Sequence, residues 1–398
     1  MTAVVSAPQG VRPELAEAVE QVRALAEKHA DATDEAAEFP VAVLDELRTT
    51  GLLGLMVPKE HGGLGGSLDD MLDVSMALGR ADMSVAMIFS MHCQQVAGIV
   101  DHADERLAGE LLPRIAAGRA YLASVTTEAG KGGHLLTAEA ELTAEPGWLD
   151  IDRFAPIVTG GMYADGFLVT MRSPESRSPN EVSLVYAHRD QLDIKPSGEW
   201  NPLGMRASHS TALHLTGRVP EHQVIGEHGQ FRHIVLDTFG PLAHLGWAAS
   251  WLGTASGALS RVLHMLRSPA GRKSADLGSE LLLTRLSRAR QRLDTVHALM
   301  RHTAATYLQV RADGDDLSRP RYQLQINALK ITASEECHRA VEDLIDAVGL
   351  RHGYLKGGPT GLERSLRDLR SAALNYNNDR LHQAGGKLAL LDAEVRLV

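Results

Sequence analysis

Residues 247–266, WAASWLGTASGALSRVLHML, are the stretch on which the fold assignment depends. Small and apolar residues run through it almost without interruption. A helix with so little polar surface has to be covered by protein on most of its sides. The sequence therefore predicts a long buried helix at this position.

Further helices are predicted on the C-terminal side of this stretch. Residues 280–307 read as one long helix, and the acidic segment 313–316 separates it from the next. In that next helix, Val341, Leu344 and Val348 recur at helical spacing and mark one apolar face. The region from about residue 229 to the end is therefore predicted to be helical.

The region before it carries strand signals instead. Residues 145–147, Glu-Pro-Gly, are typical of a turn, and Leu149 and Ile151 alternate with aspartates directly after it. Upstream, helical periodicity returns, beginning at Pro13, a residue suited to a first helical turn. The prediction is an α+β protein, mainly α, with a helical domain at 1–120, a β domain at 121–228 and a helical domain at 229–398.

Composition limits the classes of partner. The 398 residues carry a formal net charge of −10 with 44% hydrophobic residues, and Lys and Arg are scattered along the chain. Nucleic-acid sites usually concentrate basic residues on one face, so nucleic acid is not the expected partner. Cys93 and Cys337 are the only cysteines, which gives no disulfide framework and no zinc spacing, so no metal site is expected.

The N-terminal segment and the hydropathy bear on location. Residues 1–14 have neither the basic region nor the apolar region of a signal peptide. No run of about 18 uninterrupted apolar residues suggests a membrane span. With only two cysteines in the chain, a reducing cytoplasm is the expected location.

Several segments resemble the acyl-CoA dehydrogenase family, in its order and at its usual spacings. They are LGLMVPKEHGGLG at 53–65, SVTTEAGKGG at 124–133, LGMRAS at 203–208, and the Glu-Arg and Arg-Asp pairs at 363–364 and 367–368. The resemblance covers about residues 13 to 390. It implies an N-terminal helical domain, a middle β-barrel and a C-terminal four-helix bundle, assembled as a homotetramer or a dimer.

The resemblance also implies a flavin and assigns residues to it. The Thr/Gly loop would place Thr127 at the edge of the isoalloxazine ring, and Gly130, Gly132 and Gly133 would let the backbone approach it. Hydroxyls and backbone N–H groups there can stabilise the negative charge of a reduced flavin. The next strand element is matched by residues 157–160, including Val158 and Thr159, but the family's tryptophan is absent.

The elements that hold the ADP half of FAD, usually from a neighbouring subunit, are altered. Arg272 is retained, but the aromatic residue that normally follows it is lost. The second element, residues 346–350, keeps Gly349 but has Asp346 in place of a glutamine, and an acidic residue is unfavourable near a pyrophosphate. FAD remains the expected cofactor, with FMN or a flavin received in reduced form as alternatives.

The catalytic base is the largest departure from the family. The resemblance places Tyr376 where a glutamate normally takes the α-proton, with Asn378 in the adjoining cofactor segment. A second family position for the base falls near Phe239. A tyrosine has a pKa near 10 and is a poor base at neutral pH. Asp379, about one helical turn away, is the other catalytic candidate, although a charge at a helix N-terminus is the more common role.

Three functions are compatible with these residues. The first is α,β-dehydrogenation of an acyl thioester on CoA or a carrier protein, with an electron-transfer flavoprotein as electron acceptor. The second is a monooxygenase on the same scaffold, supplied with reduced flavin by a flavin reductase; it needs no carboxylate base. The third, a scaffold without turnover, is disfavoured because Thr127 and Thr159 are kept.

Overall fold

The computed structural model describes residues 10–129 and 135–398, except for the side chain of Ser274. Five helices precede the strands. They are α1 Pro13–Ala36, α2 Val41–Thr49, α3 Leu68–Gly79, α4 Met83–His102 and α5 Glu105–Ala116. Ser67, Asp82 and Asp104 accept hydrogen bonds from backbone N–H groups at the starts of α3, α4 and α5, which explains where these helices begin.

Eight strands form two four-stranded sheets. One sheet has the order β1-β4-β5-β8 and the other β2-β3-β7-β6. The strands are β1 Leu122–Val125, β2 Thr143–Glu145, β3 Trp148–Ala155, β4 Gly166–Arg172, β5 Val182–His188, β6 Leu192–Ser197, β7 Ala212–Pro220 and β8 Val224–Ile225. The alternation predicted for Leu149 and Ile151 is confirmed, since both side chains are buried in β3.

The C-terminal part is helical again. The helices are α6 Phe231–Ile234, α7 Gly240–Arg267, α8 Pro269–Ser274, α9 Glu280–Ala312, α10 Pro320–Gly349, α11 Leu362–Arg370 and α12 Asn378–Ala389. Two π-helical segments, Val235–Phe239 and Leu350–Tyr354, adjoin α7 and α10. The predicted α+β class, mainly α, is confirmed. The exact domain boundaries stay a prediction.

Helix α7 is the central element, as the opening stretch predicts. It packs against α3, α4, α9 and α10, and nineteen of its residues are buried. Glycines allow α3 and α7 to touch: a Cβ on Gly253 would lie 2.3 Å from the carbonyl oxygen of Met76, and one on Gly79 would lie 2.5 Å from that of Ser250. The helical regions before and after the strands therefore share one core.

Helix α4 is the one described helix that is long and apolar enough to cross a membrane. It has 20 residues, and 89% of its most apolar window is buried inside the protein. Its apolar character is therefore accounted for by packing in the core.

Candidate functional site

A chain of hydroxyl groups lies at the edge of the β region. Thr127 Oγ1 donates to the carbonyl of Ile157 at 2.9 Å. Two residues further on, Thr159 Oγ1 lies 3.0 Å from Ser210 Oγ, which in turn lies 2.8 Å from Ser208 Oγ. The structure thus brings together Thr127 and the 157–159 segment, as predicted, and adds two buried serines from the loop before β7.

The rest of the predicted β-side set is only partly described. Val158 is buried and donates its N–H to the carbonyl of Thr211 at 3.1 Å, so its backbone fixes the segment. Gly130, Gly132 and Gly133 lie outside the described residues. Ile157, at the position where the family has a tryptophan, is 51% exposed and offers uncovered apolar surface.

A buried arginine supports this edge and was not predicted from the sequence. Arg153 on β3 is 1% exposed and donates to the carbonyls of Thr127 at 2.9 Å and Thr170 at 3.1 Å. Its Nη1 lies 3.2 Å from Glu128 Oε1. Glu128 also accepts hydrogen bonds from the backbone N–H groups of residues 139 and 140. The Thr127 loop is therefore anchored by charge as well as by the sheet.

The predicted ADP-binding residues are not brought to the β-side hydroxyls by any described contact. Arg272 is exposed on α8. Gly349 ends α10 with a φ of 72°, and Leu350 after it is 68% exposed. Asp346 lies 4.0 Å from Arg285, so part of its charge is compensated within the chain.

On the helical side, Tyr376 sits in an unusual backbone conformation. Its φ is 51°, in the left-handed region that is costly for a residue other than glycine. Its ring centroid lies 6.0 Å from that of His244 on α7. Burial raises the pKa of the Tyr376 phenol above its ordinary value, with a smaller opposing effect of Arg380. At neutral pH the phenol therefore keeps its proton.

Asn378 and Asp379 are adjacent in sequence but differ in burial. Asn378 is buried, and its amide nitrogen donates to Ser334 at 3.0 Å. Asp379 is exposed in the first turn of α12, where its N–H donates to Asn377 Oδ1 at 2.8 Å. The structure thus groups Tyr376 with Asn378 and leaves the carboxylate of Asp379 on the surface.

A lysine lies beneath Tyr376 and Asn378, and sequence reasoning missed it. Lys330 on α10 is completely buried, and its Nζ donates to the carbonyl of Tyr376 at 2.9 Å and to Asn378 Oδ1 at 2.7 Å. The same Nζ lies 5.7 Å from the ring centroid of Trp251 on α7. Burial lowers the pKa of Lys330 to about 7, with a smaller opposing effect of Glu335.

Three aromatic side chains on α7 complete this side. His244, Trp247 and Trp251 follow at helical spacing, with ring centroids 5.9 Å and 6.2 Å apart in turn. Both tryptophan Nε1 atoms and His244 Nδ1 are buried without a hydrogen-bond partner. Desolvation, and secondarily the charge of Lys330, lower the pKa of His244 to about 3, so the imidazole is neutral.

Phe239, the second family position for the base, and three histidines lie elsewhere. Phe239 is buried in the π-helical segment before α7 and packs on Phe231. His92 is a core residue, with Nε2 2.9 Å from the carbonyl of Leu53 and Nδ1 accepting from Leu122 N–H. His209 lies on Tyr163 at the β side, and His382 is exposed on α12.

Asp237 belongs to a different cluster. Its Oδ2 lies 3.6 Å from His102 Nε2 and 3.8 Å from Arg311 Nη2, and Asp101 joins the same group. Arg311 also lies 2.8 Å from Asp101 Oδ2. Since a guanidinium already compensates these carboxylates, the arrangement reads as an ion-pair network between α4, α9 and the π-helical segment.

The β region and the C-terminal helices are joined directly. The N–H of Met205 donates to Asp368 Oδ1 at 2.7 Å, and Arg367 pairs with Asp34 of α1 at 2.6 Å. Desolvation raises the pKa of Asp368 to about 7, with Asp82 adding to the effect. The segments at 203–208 and 363–368 therefore hold three parts of the chain together.

Two domain families match the chain. The acyl-CoA dehydrogenase N-terminal domain matches residues 12–119, and the acyl-CoA dehydrogenase C-terminal domain matches residues 245–377. Together they span more than half of the sequence.

Curated relatives include two kinds of enzyme. The chain is 25% identical to the mitochondrial isobutyryl-CoA dehydrogenase of Dictyostelium discoideum, over 89% of this chain and 81% of that protein. It is also 25% identical to the dibenzothiophene monooxygenase of Mycolicibacterium goodii, over 83% of this chain and 82% of that protein. At this level, identity does not separate the two reactions.

Solved structures share the fold. The complex of TdsC from Paenibacillus sp. A11-2 with FMN and indole has a TM-score of 0.85 at 22% identity, over 97% of this chain and 98% of that chain. Butyryl-CoA dehydrogenase from Megasphaera elsdenii has a TM-score of 0.80 at 18% identity, over 96% and 99%. By its domain matches and its fold, this chain belongs to the acyl-CoA dehydrogenase superfamily of flavin-dependent oxidoreductases.

Proposed function

We propose that this chain is a monooxygenase that uses reduced flavin and O2 to oxygenate a small organic substrate. One oxygen atom enters the substrate and the other leaves as water, at the expense of the two electrons of the reduced flavin. The observation that carries the proposal is the absence of a carboxylate at Tyr376. In the described part of the chain, no carboxylate makes a hydrogen bond or ion pair with that side chain.

The β-side residues fit a flavin. An isoalloxazine ring combines an apolar face with a hydrogen-bonding edge, and bound flavins are tuned by hydrogen bonds to that edge. Ile157 provides exposed apolar surface, Thr127 Oγ1 donates to its carbonyl, and Thr159 Oγ1 pairs with Ser210 two residues further on. A neutral hydroxyl that turned from its present acceptor toward a bound ring would suit the negative charge that the ring gains on reduction.

These residues would hold the flavin in the following way. Thr127 and the 158–159 segment would contact the ring edge, and Ser208 and Ser210 would orient the Thr159 hydroxyl. A bound flavin supplies the electron-transfer chemistry. Arg153 keeps the Thr127 loop in place by its hydrogen bond to the Thr127 carbonyl. Arg272 and Gly349 stay predicted contacts for the distal half of the cofactor, supplied to a neighbouring subunit.

The helical side argues against proton abstraction from a thioester. A general base has to accept a proton at neutral pH. Tyr376 is protonated, because burial raises its pKa, and Asp379 is exposed away from it. His244 has a pKa of about 3 and is too weak a base. An oxygenation needs no such group, so the same residues present no obstacle to it.

The substrate side is aromatic. Tyr376, His244 and Trp247 would face a substrate with flat rings and few charges, which favours a planar, weakly polar molecule over a flexible acyl chain. The names of two relatives, dibenzothiophene monooxygenase and the indole complex of TdsC, are consistent with such a substrate. Indole and dibenzothiophene are therefore suitable probes.

Dehydrogenation of an acyl thioester is the second candidate. Its support is the similarity to isobutyryl-CoA dehydrogenase over most of both chains. In that case an electron-transfer flavoprotein would be the partner, whereas the monooxygenase requires a flavin reductase. For either reaction we propose a cytoplasmic homo-oligomer, in keeping with the exposed Leu350 and Leu355 beside the predicted ADP element.

The deciding experiment compares the two reactions on the same preparation. The protein is loaded separately with FMN and FAD and mixed anaerobically with a panel of acyl-CoAs. In parallel, it is supplied with NADH, a flavin reductase, ¹⁸O2 and either probe. Incorporation of ¹⁸O into indole or dibenzothiophene without bleaching by any acyl-CoA supports the monooxygenase. Bleaching of the flavin by an acyl-CoA would overturn it.

A matched control guards against uncoupled chemistry. Free reduced flavin reacts with oxygen on its own, so ¹⁸O incorporation has to exceed that of the flavin reductase alone. A Thr127→Val variant should lower both flavin binding and incorporation. If incorporation survives loss of bound flavin, it does not come from this site.

A further inference from the structure

Lys330 is a buried cation in direct contact with the backbone of Tyr376, the predicted reaction residue. It is completely buried, and its two hydrogen-bond acceptors, the Tyr376 carbonyl and Asn378 Oδ1, are both neutral. Lysine is rarely buried without a carboxylate partner, because removing its charge from water is costly. We therefore expect that a buried amine without a carboxylate partner has a role that a neutral side chain could not fill.

The two hydrogen bonds of Lys330 suggest that its role is to fix the backbone around Tyr376. Tyr376 occupies the left-handed backbone region, which costs a non-glycine residue about 1–3 kcal/mol. The Lys330 hydrogen bond ends on the carbonyl of this same residue, and its second bond reaches Asn378 at the start of α12. The amine therefore connects the strained residue to the helix that follows it.

The charged and titratable groups around Lys330 are few. His244 faces it from α7 and is neutral. Glu335, on the same helix as Lys330, accepts a hydrogen bond from Asn378 Nδ2 at 3.3 Å and lies 3.2 Å from Arg339. From the segment leading into α12, Tyr376 is protonated, and Arg380 acts on Tyr376. Burial brings the pKa of Lys330 itself to about 7.

We propose that Lys330 is a positioning residue of this site: its amine holds Tyr376 in the left-handed conformation, and the presence or absence of its proton changes how Tyr376 and the aromatic face of α7 are presented to the substrate. The protonated form makes charged hydrogen bonds to both acceptors and an additional contact with the Trp251 ring. The neutral form keeps two donors but loses the charge. The catalytic part of this inference rests on the proposed function.

Two physical effects connect the proton to the site. Hydrogen bonds from an ionised donor are stronger than those from a neutral one, so deprotonation loosens the hold on Tyr376. The cation–π contact with Trp251 disappears in the same step. The lowered pKa of Lys330, about 7, brings both changes into the physiological range. The site is thus expected to be more tightly ordered below neutrality than above it.

The first test needs neither cofactor nor substrate. Trp251 lies beside the Lys330 amine, so its emission reports the charge of that amine. Tryptophan emission of the wild-type protein is recorded between pH 5.5 and 8.5, with a transition expected near pH 7. The transition should be absent in Lys330→Met and Trp251→Phe and unchanged in Lys387→Met, which removes an exposed lysine. A transition that persists in Lys330→Met would overturn the proposal.

The wild-type titration also covers the case in which Lys330→Met fails to fold. Trp251→Phe leaves the amine in place and removes only the reporter, so it identifies the origin of the signal without disturbing the hydrogen bonds. If the wild-type emission shows no transition in this range, Lys330 does not titrate near neutrality and the proposal is wrong.

The second test measures catalysis. In wild type, kcat/KM for oxygenation of the accepted probe should fall as pH rises through about 7. Lys330→Met should lower kcat by up to about 100-fold, the scale of a small misplacement in an active site, and should lose this pH dependence. Flavin affinity should change less than kcat, because the hydroxyls of Thr127 and Thr159 make no described contact with Lys330. An unaltered pH profile in Lys330→Met would contradict the positioning role.

The two tests separate two kinds of failure. If no probe is oxygenated but the emission transition is present and depends on Lys330, the proposed reaction is wrong and the titrating amine stands. If oxygenation occurs but the transition is absent, the proposed function stands and the role of Lys330 is rejected.

Discussion

The two sides of the candidate site differ in what they retain from the family. The β side keeps the hydroxyls predicted from the resemblance, Thr127 and Thr159, and adds Ser208 and Ser210 to them. The helical side has a tyrosine where a carboxylate is expected and a buried amine below it. One half of the site is thus conserved in its chemistry and the other is replaced. This difference is consistent with a flavin on the β side and, under the proposed function, with a reaction other than thioester dehydrogenation.

The two sides are also held by different forces. Arg153 on the β side has an acidic partner, Glu128, so removing the arginine breaks a buried ion pair. Lys330 on the helical side binds neutral acceptors, so its own charge is the uncompensated one. Substitutions at these two positions should therefore respond differently to pH, and they provide the most direct way to test the comparison.

The largest effect is expected from Arg153→Met. Breaking a buried ion pair by removing one partner typically costs about 3–5 kcal/mol. The variant should lose that much free energy of unfolding and also bind flavin more weakly, because the Thr127 carbonyl loses its donor. Urea unfolding and flavin titration measure the two changes. Arg218→Met, which removes an exposed arginine of β7, is the control and should cost about 1 kcal/mol or less.

The next effect concerns Lys330 and pH. Its folded pKa of about 7 lies below the unfolded value of 10.5, so between these values the unfolded chain binds the extra proton and stability rises with pH. The free-energy cost of burying the protonated amine is present in full below pH 7. It decreases as the pH rises above 7. Wild type should gain up to about 4 kcal/mol relative to Lys330→Met between pH 7 and 10.

Paired urea unfolding curves across this range check the prediction. Lys330→Met also loses two hydrogen bonds. This loss changes the difference in free energy of unfolding between the two proteins by a constant amount and does not change how that difference varies with pH. A difference between the two proteins that does not change with pH would mean that Lys330 keeps an ordinary pKa in the folded state.

Tyr376→Glu should change the reaction. A carboxylate at this position would supply the base that the helical side lacks, and general-base catalysis typically contributes at least about 100-fold. Bleaching of bound flavin by an acyl-CoA should then be at least about 100-fold faster than in Tyr376→Gln, which has the same shape but no basic group. Equal rates in the two variants would indicate that residue 376 does not face the reacting carbon.

The smallest effect is expected from Thr159→Val. The variant removes one hydroxyl from the chain to Ser210, worth about 1 kcal/mol, or roughly fivefold in the dissociation constant of the flavin. Thr143→Val, on an exposed edge strand, should leave the constant unchanged. Weaker flavin binding in Thr159→Val but not in Thr143→Val would support flavin binding at the β side. Unchanged flavin binding in both variants would contradict it.

Much of the fold could be predicted from periodicity. The long helices α7 and α9 and the strand β3 lie where the apolar patterns place them, because burial of one face or of a whole element dictates composition directly. Short elements were harder: α8 and the π-helical segments carry no periodic signal of their own. Their ends depend on packing against helices that are distant in sequence.

The sequence predicts some residues of the candidate site and not others, and the reason is physical. Thr127 and Thr159 are predicted as flavin residues because a resemblance carries over residues that stand at matching positions. Lys330, Arg153 and His244 were missed because a charged or polar residue is ordinarily assigned to the surface. A signal did exist for Lys330, since it shares a helix face with Ile326, Ala333 and Cys337, all buried. A lysine in register with an apolar face is a reason to expect a buried amine.

The glycine contact between α3 and α7 has a consequence for how substrates are admitted. With Gly79 and Gly253 bringing the two backbones together, the regions before and after the strands cannot swing apart about a hinge without opening their shared core. The protein therefore cannot select its substrate by a hinge closure between these two regions. This leaves the side chains that line the site as the means by which a substrate is selected.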